Sequence, residues 1–195
     1  MAVIILQVIF LMISMIRPAL AHPGNHELVI GSYSEDEDNI DLTPLIERLK
    51  ADRQARTASE VASLPADDFT SVVGSVGAGY TLDTVWYRIQ IHVTQAGAEP
   101  LQFKRYLEIS PPYLNRIALT ILDRQTRLPV WNKIVGDHIP PNASEARGRQ
   151  HLSTWPNLPA SSYWLVIGVS SNSAQLLNAH IKSDTVLIAE NVQDT

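Results

Sequence analysis

Four alternate residues, Trp86, Arg88, Gln90 and His92, carry the side chains of this sequence best suited to binding chemistry. A spacing of two puts them on one face of a strand, because successive side chains in extended backbone point to opposite sides. An indole ring can stack on a sugar, while a guanidinium and an amide can hydrogen-bond its hydroxyls or a carboxylate. The structural alternative is a half-buried Trp86 with Arg88 packed on its ring by cation–π attraction. Asp137, after Gly136 and ahead of a long polar stretch, is a further candidate ligand contact. It is also placed to pair with Arg147 or Arg149 and so pin that stretch as a loop.

Catalytic patterns are missing. There is no Ser-His-Asp order, nucleophile elbow or phosphate loop, and no assignable strand carries paired carboxylates on one face. The six histidines are scattered, and the absence of cysteine excludes disulfides, thiolate chemistry and cysteine-ligated zinc. The acidic run from Glu35 to Asp38 lacks the glycine and closing glutamate of a calcium loop and reads as a solvated loop. A terminal His22 with His26 nearby would suit a copper site only with rigid support, which a Pro-Gly-Asn segment does not supply. The expectation is a binding module that is not an enzyme and uses no metal or cofactor.

Those side chains need a sheet to hold them. Residues 84–93 alternate almost strictly, setting Val85, Tyr87, Ile89, Ile91 and Val93 toward a core. Residues 103–110 predict a second strand stopped by Pro111-Pro112, and residues 116–122 a third with Ile117, Leu119 and Ile121 on one side. The nearly continuous apolar run over 162–170 predicts a central strand covered on both faces. Shorter strands are expected at 28–30, after Pro129, at 151–155, and once or twice within 176–188. Thr43-Pro44 opens a helical turn with Leu42, Leu45, Ile46 and Leu49 at helical spacing. Thr57 and Glu60 have capping-box spacing for a second turn over 59–63, ended by Leu64-Pro65. About eight strands in this pattern predict an all-β fold, a jelly-roll-like antiparallel β-sandwich with one or two short N-terminal helical turns.

At 195 residues the chain is long enough for one domain with a real core. Residues 2–15 are apolar except for Gln7 and Ser14, and Ala19-Leu20-Ala21 is a small-x-small cleavage site. The run is shorter than the ~20 residues of a membrane span, so residues 1–21 read as a secretory signal, although its first residues carry no Lys or Arg. Residues 22–40 then read as a flexible acidic lead-in and 41–190 as the sandwich. Cleavage removes Arg17, and 15 basic residues less one leaves 14 against 20 acidic, a mature charge of −6. That balance argues against nucleic acid as a partner. The mature protein should begin at His22, and intact mass spectrometry of exported protein checks this; a mass that still includes residues 1–21 contradicts it.

Asp68-Phe69, a glycine-bearing gap to Gly79-Tyr80, and Val85-Trp86-Tyr87-Arg88 form the start of an ordered series. Tyr106-Leu107-Glu108-Ile109, Pro112-Tyr113-Leu114-Asn115-Arg116-Ile117 and Val135-Gly136-Asp137-His138-Ile139-Pro140 continue it, over about residues 40–182. This series resembles the second type of extracellular sensor domain of bacterial seven-transmembrane receptors with diverse intracellular signalling modules. The resemblance implies a fold similar to carbohydrate-binding jelly rolls, a periplasmic location and a small-molecule ligand, with a carbohydrate or carboxylate in view. It implies receptor membrane helices in cis, or a partner protein, as the recipient of the signal. The chain to Thr195 is read as such a domain without the membrane helices and output module, either a piece of a receptor or a free-standing version. A secreted carbohydrate-binding or carbohydrate-active sandwich is the alternative.

Overall fold

Strand pairing, rather than local helix propensity, organises the chain in the computed structural model, which describes residues 27–30, 38–72, 76–94, 104–139 and 150–193. The expected signal, most of the acidic lead-in, and Arg147 and Arg149 lie outside these residues. Twelve described strands form two sheets. In chain order they are β1 (Glu27–Ile30), β2 (Asn39–Asp41), β3 (Glu47–Leu49), β4 (Phe69–Ser71), β5 (Val76–Gly79) and β6 (Val85–Val93). Then follow β7 (Arg105–Ser110), β8 (Arg116–Asp123), β9 (Pro129–Val135), β10 (His151–Thr154), β11 (Ser161–Ser170) and β12 (Gln175–Ser183). The first sheet runs β4-β3-β6-β11-β8-β9, with β1 parallel to β6. The second runs β10-β7-β12-β2, with β5 also on β12. All pairings except β1 with β6 are antiparallel, so the structure is the all-β sandwich that the alternation predicts.

The core lies between the sheets. Tyr87, Ile89, Ile91 and Val93 of β6 meet it, with Leu165, Ile167 and Val169 of β11 and Ile117, Leu119 and Ile121 of β8. Leu107 and Ile109 of β7 and Leu177, Ala179 and Ile181 of β12 close it from the other sheet. As its unbroken apolar run predicts, β11 is central, paired with β6 on one side and β8 on the other. Val166 faces away from this core into a second, smaller cluster on the outer face of the first sheet.

That outer cluster is covered by helix α1 (Ala58–Ser63), which begins with the predicted capping box. The Thr57 hydroxyl accepts from the Glu60 amide at 3.2 Å, and the Glu60 carboxylate accepts from the Thr57 amide at 3.3 Å. Tertiary pairing cuts two local expectations short. Thr43-Pro44 opens a helical turn as expected, over Thr43–Leu45, but the helical spacing through Leu49 carries it no further, because Glu47–Leu49 is a strand between β4 and β6. Residues 46–49 supply both layers, Ile46 the inter-sheet core and Leu49 the outer cluster. One or two strands are expected within 176–188; one forms, β12, and from Asp184 the chain is helix α2 (Asp184–Gln193). The Ser183 hydroxyl accepts from the Val186 amide at 3.3 Å, satisfying an amide of the first turn.

Tyr87 is fully buried, and among the described residues its hydroxyl has no hydrogen-bond partner. Burial pushes its pKa up from 10.0 to about 12, with Arg48 acting in the opposite direction. A folded pKa above the unfolded one stabilises fully below the unfolded value, and the gain is lost as pH rises from about 10 to about 12. Tyr87→Phe removes the unpartnered hydroxyl, so stability at neutral pH should hold or rise by about 1 kcal/mol. Alkaline unfolding, followed by circular dichroism, should move to higher pH in that variant. A loss of more than about 1 kcal/mol at neutral pH would mean that the hydroxyl is hydrogen-bonded.

Candidate functional site

Trp86, Arg88, Gln90 and His92 share the outer face of β6, as the alternation requires, but their surroundings divide them. Trp86 is 8% exposed and lies beneath the segment that contains α1. Its indole N–H donates to the Ala55 carbonyl at 2.8 Å. Its ring packs against Gly168, directly across on β11; a Cβ there would lie 2.5 Å from the ring. A larger residue at 168 would have to displace the indole.

Arg88 is 3% exposed. Its Nε donates to Glu47 Oε2 at 2.7 Å and its Nη1 to the Leu64 carbonyl at 3.1 Å. The guanidinium lies 3.4 Å from the Phe69 ring centroid and 4.5 Å from that of Trp164. The cation–π partners are therefore Phe69 and Trp164 rather than Trp86. Burial is the strongest influence on Arg88 and lowers its pKa, while the hydrogen bond and charge of Glu47 raise it. Arg53, paired with Asp68 at 2.8 Å, and Lys50, which donates to the Asp67 carbonyl, help to hold the covering segment down.

Past Arg88 the same face opens. Gln90 is half-buried and donates to Glu27 Oε1 at 2.6 Å. His92 Nδ1 lies 2.9 Å from the Ser162 hydroxyl. Trp164, half-buried, sits directly across from Gln90, and the exposed Arg124 guanidinium is 4.8 Å from its ring centroid. Asp123 accepts from the Thr126 and Gln125 amides and the Thr126 and Ser161 hydroxyls at 2.8–3.1 Å. The hydrogen bond from the Thr126 amide is the largest influence holding its carboxyl below the usual carboxylate range.

This open half carries donors, acceptors and one aromatic ring across three strands, the composition of a site for a small polar ligand. His92 and Ser162 stand at the distance of a nucleophile and a base, but no described residue orients the second imidazole nitrogen, as such catalysis requires. Among the described residues no three His, Asp or Glu side chains group to hold a metal ion.

Asp137 is not brought to this region. It follows β9, whose end pairs with the start of β8, which is level with the end of β11 and the start of β6. Gln90 is five residues farther along β6 from Val85, about 17 Å at ~3.3 Å per residue. The Asp137 amide donates to the Leu114 carbonyl at 2.8 Å, and the His138 amide to the Asn115 carbonyl at 3.0 Å. Gly136 has φ of +141°, and a Cβ there would strike the Asn115 carbonyl oxygen. The Asn115 carboxamide ties this turn to the next loop, accepting from the Asn172 amide at 2.8 Å and meeting His138 Nε2 at 3.1 Å. Asp137 also raises the pKa of the buried His151, whose lowering by burial is the larger effect.

Sequence reasoning missed Glu27, Trp164 and Arg124 as companions of Gln90. Trp164 alone carried a usable signal, an aromatic residue at the parity of Val166 on the strand predicted to be covered on both faces.

No helix among the described residues is long and apolar enough to cross a membrane. No curated protein matches the chain in sequence. The family model described as 7TMR-DISM extracellular 2 matches residues 43–183, which hold the described strands from β3 to β12, in both sheets, and the whole of β6. The chain belongs to this family of extracellular sensor domains of seven-transmembrane receptors.

Proposed function

We propose that the chain is a non-catalytic sensing domain that binds a small ligand in the periplasm and acts in bacterial signal transduction. Family membership supports the sensing role. The observation that carries the ligand reading is the division of one sheet face, buried at Trp86 and Arg88 of β6 and only half-buried at Gln90 and His92 of β6 and Ser162 and Trp164 of β11. Gln90 is the proposed contact, with Arg124 and the half-buried ring of Trp164 beside it. Arg88 and Trp86 lie on the same face under the covering segment, Arg88 stacked on the Trp164 ring. Asp137 holds its own turn at the far end of the sheet.

Carbohydrates and carboxylates are the ligand classes that suit an aromatic edge, an amide and an exposed guanidinium. The signal passes to receptor helices in cis or to a partner protein, and export uses the cleaved segment 1–21. A thermal-shift screen of the full chain against sugars and small carboxylates tests this. A ligand at 100-fold its Kd should stabilise by roughly 2.7 kcal/mol, raising Tm by roughly 5–10 °C. No shift with either class contradicts the ligand reading, and turnover of a bound sugar contradicts the non-catalytic one.

A further inference from the structure

We propose that helix α2 is a releasable latch on the outer face of the second sheet, keyed by Lys182. Lys182, on β12, is 6% exposed. Its ammonium lies 3.0 Å from Glu108 Oε2 on β7 and donates to both carboxylate oxygens of Glu190 on α2, at 2.8 and 2.9 Å. The Gln150 amide, in the orientation that satisfies both groups, donates to the Glu108 carboxylate.

The two carboxylates differ in what their removal leaves behind. Glu108 is 4% exposed, whereas Glu190 is 47% exposed. When Glu190 moves away, Lys182 keeps Glu108, and the buried pair stays neutral. Removing Lys182 instead strands a buried carboxylate, which is strongly unfavourable. The helix therefore detaches without leaving an uncompensated charge in the sheet.

Leu187 is the one buried apolar side chain of α2 among the described residues, while Ile188 is 62% exposed. Its root is fixed separately, by the Ser183 amide on the Asp38 carbonyl and the Asp184 amide on the Lys104 carbonyl. At 10 residues α2 is shorter than the ~12–15 at which isolated helices become even marginal in water, so a freed helix unravels. The Lys182–Glu190 ion pair thus couples helical order to the sheet, and whatever follows residue 193 is joined to the sandwich through that element.

Hydrogen exchange of the full chain tests the latch. Glu190→Gln and Glu190→Ala should each speed exchange of the α2 amides beyond Val186 by about tenfold or more, with β7 and β12 unchanged. The melting temperature of both variants should stay within about 2 °C of the parent, since global unfolding does not involve the latch. Lys182→Met should free the same amides and also lower the melting temperature, through the stranded Glu108. Unchanged α2 exchange in both Glu190 variants would overturn the proposal, because Leu187 would then suffice to hold the helix. Loss of protection in β7 and β12 together with α2 would overturn it as well, since the helix would be an integral part of the fold.

Discussion

Arg88→Ala should destabilise the protein by about 3 kcal/mol, the lower end of the range for removing one partner of a buried ion pair. Three losses combine. Glu47 keeps its charge without its partner, the Leu64 carbonyl loses its donor, and the space between Phe69 and Trp164 empties. Glu47 retains 22% exposure and is partly rehydrated, which places the effect at the lower end. Thermal unfolding should show a fall of roughly 6–12 °C for a chain of this size. Arg88→Lys should not rescue it, because an ammonium lacks the planar fork that stacks and donates at once. Arg88→Met combined with Glu47→Leu should recover most of the loss, since an apolar pair of similar volume leaves no charge behind. A variant Arg88→Ala within about 2 °C of the parent would mean that the guanidinium does not hold the covering segment.

Ile89→Ala should lose about 2–5 kcal/mol, from the transfer of the missing methyl groups and from the cavity they leave. Ile89 is fully buried in the middle of β6, opposite Leu165. Both neighbours on its face, Tyr87 and Ile91, are equally buried, so the site has little freedom to collapse. Urea denaturation should show a lower midpoint with an unchanged slope. A loss below about half a kcal/mol would be the signature of a side chain near solvent, about what surface substitutions produce.

Period-two alternation made β6 and β8 legible, because one face of each had to meet the core, while an unbroken apolar run made β11 legible as a strand covered on both faces. The capping box of α1 was legible because both of its partners lie within four residues. Residues 42–49 misled for a physical reason: a spacing that suits one helix face also serves a turn and strand that feed two clusters. The helical character of 184–193 was hidden behind β-branched residues, and its anchor, Lys182, only becomes one once β12 stands beside β7.

The candidate face was legible in its parity and not in its depth. Alternation placed Trp86, Arg88 and Gln90 together, but it could not show that the segment ending at Phe69 folds back over the first two. The partners of Arg88, namely Glu47, Leu64, Phe69 and Trp164, come from four other parts of the chain, and only the sheet order joins them. Gly168 had no signal at all, since the ring that requires it belongs to a neighbouring strand.

The most direct measurement is hydrogen exchange of the full chain with and without the sugar or carboxylate that most raises its melting temperature. A ligand on the half-buried part of the first sheet should slow exchange at 90–94, 122–124 and 161–164, where β6 and β8 end and β11 begins. Slowing confined to 111–115, 136–139 and 171–174, the loops at the Asp137 end, would contradict a ligand held beside Gln90.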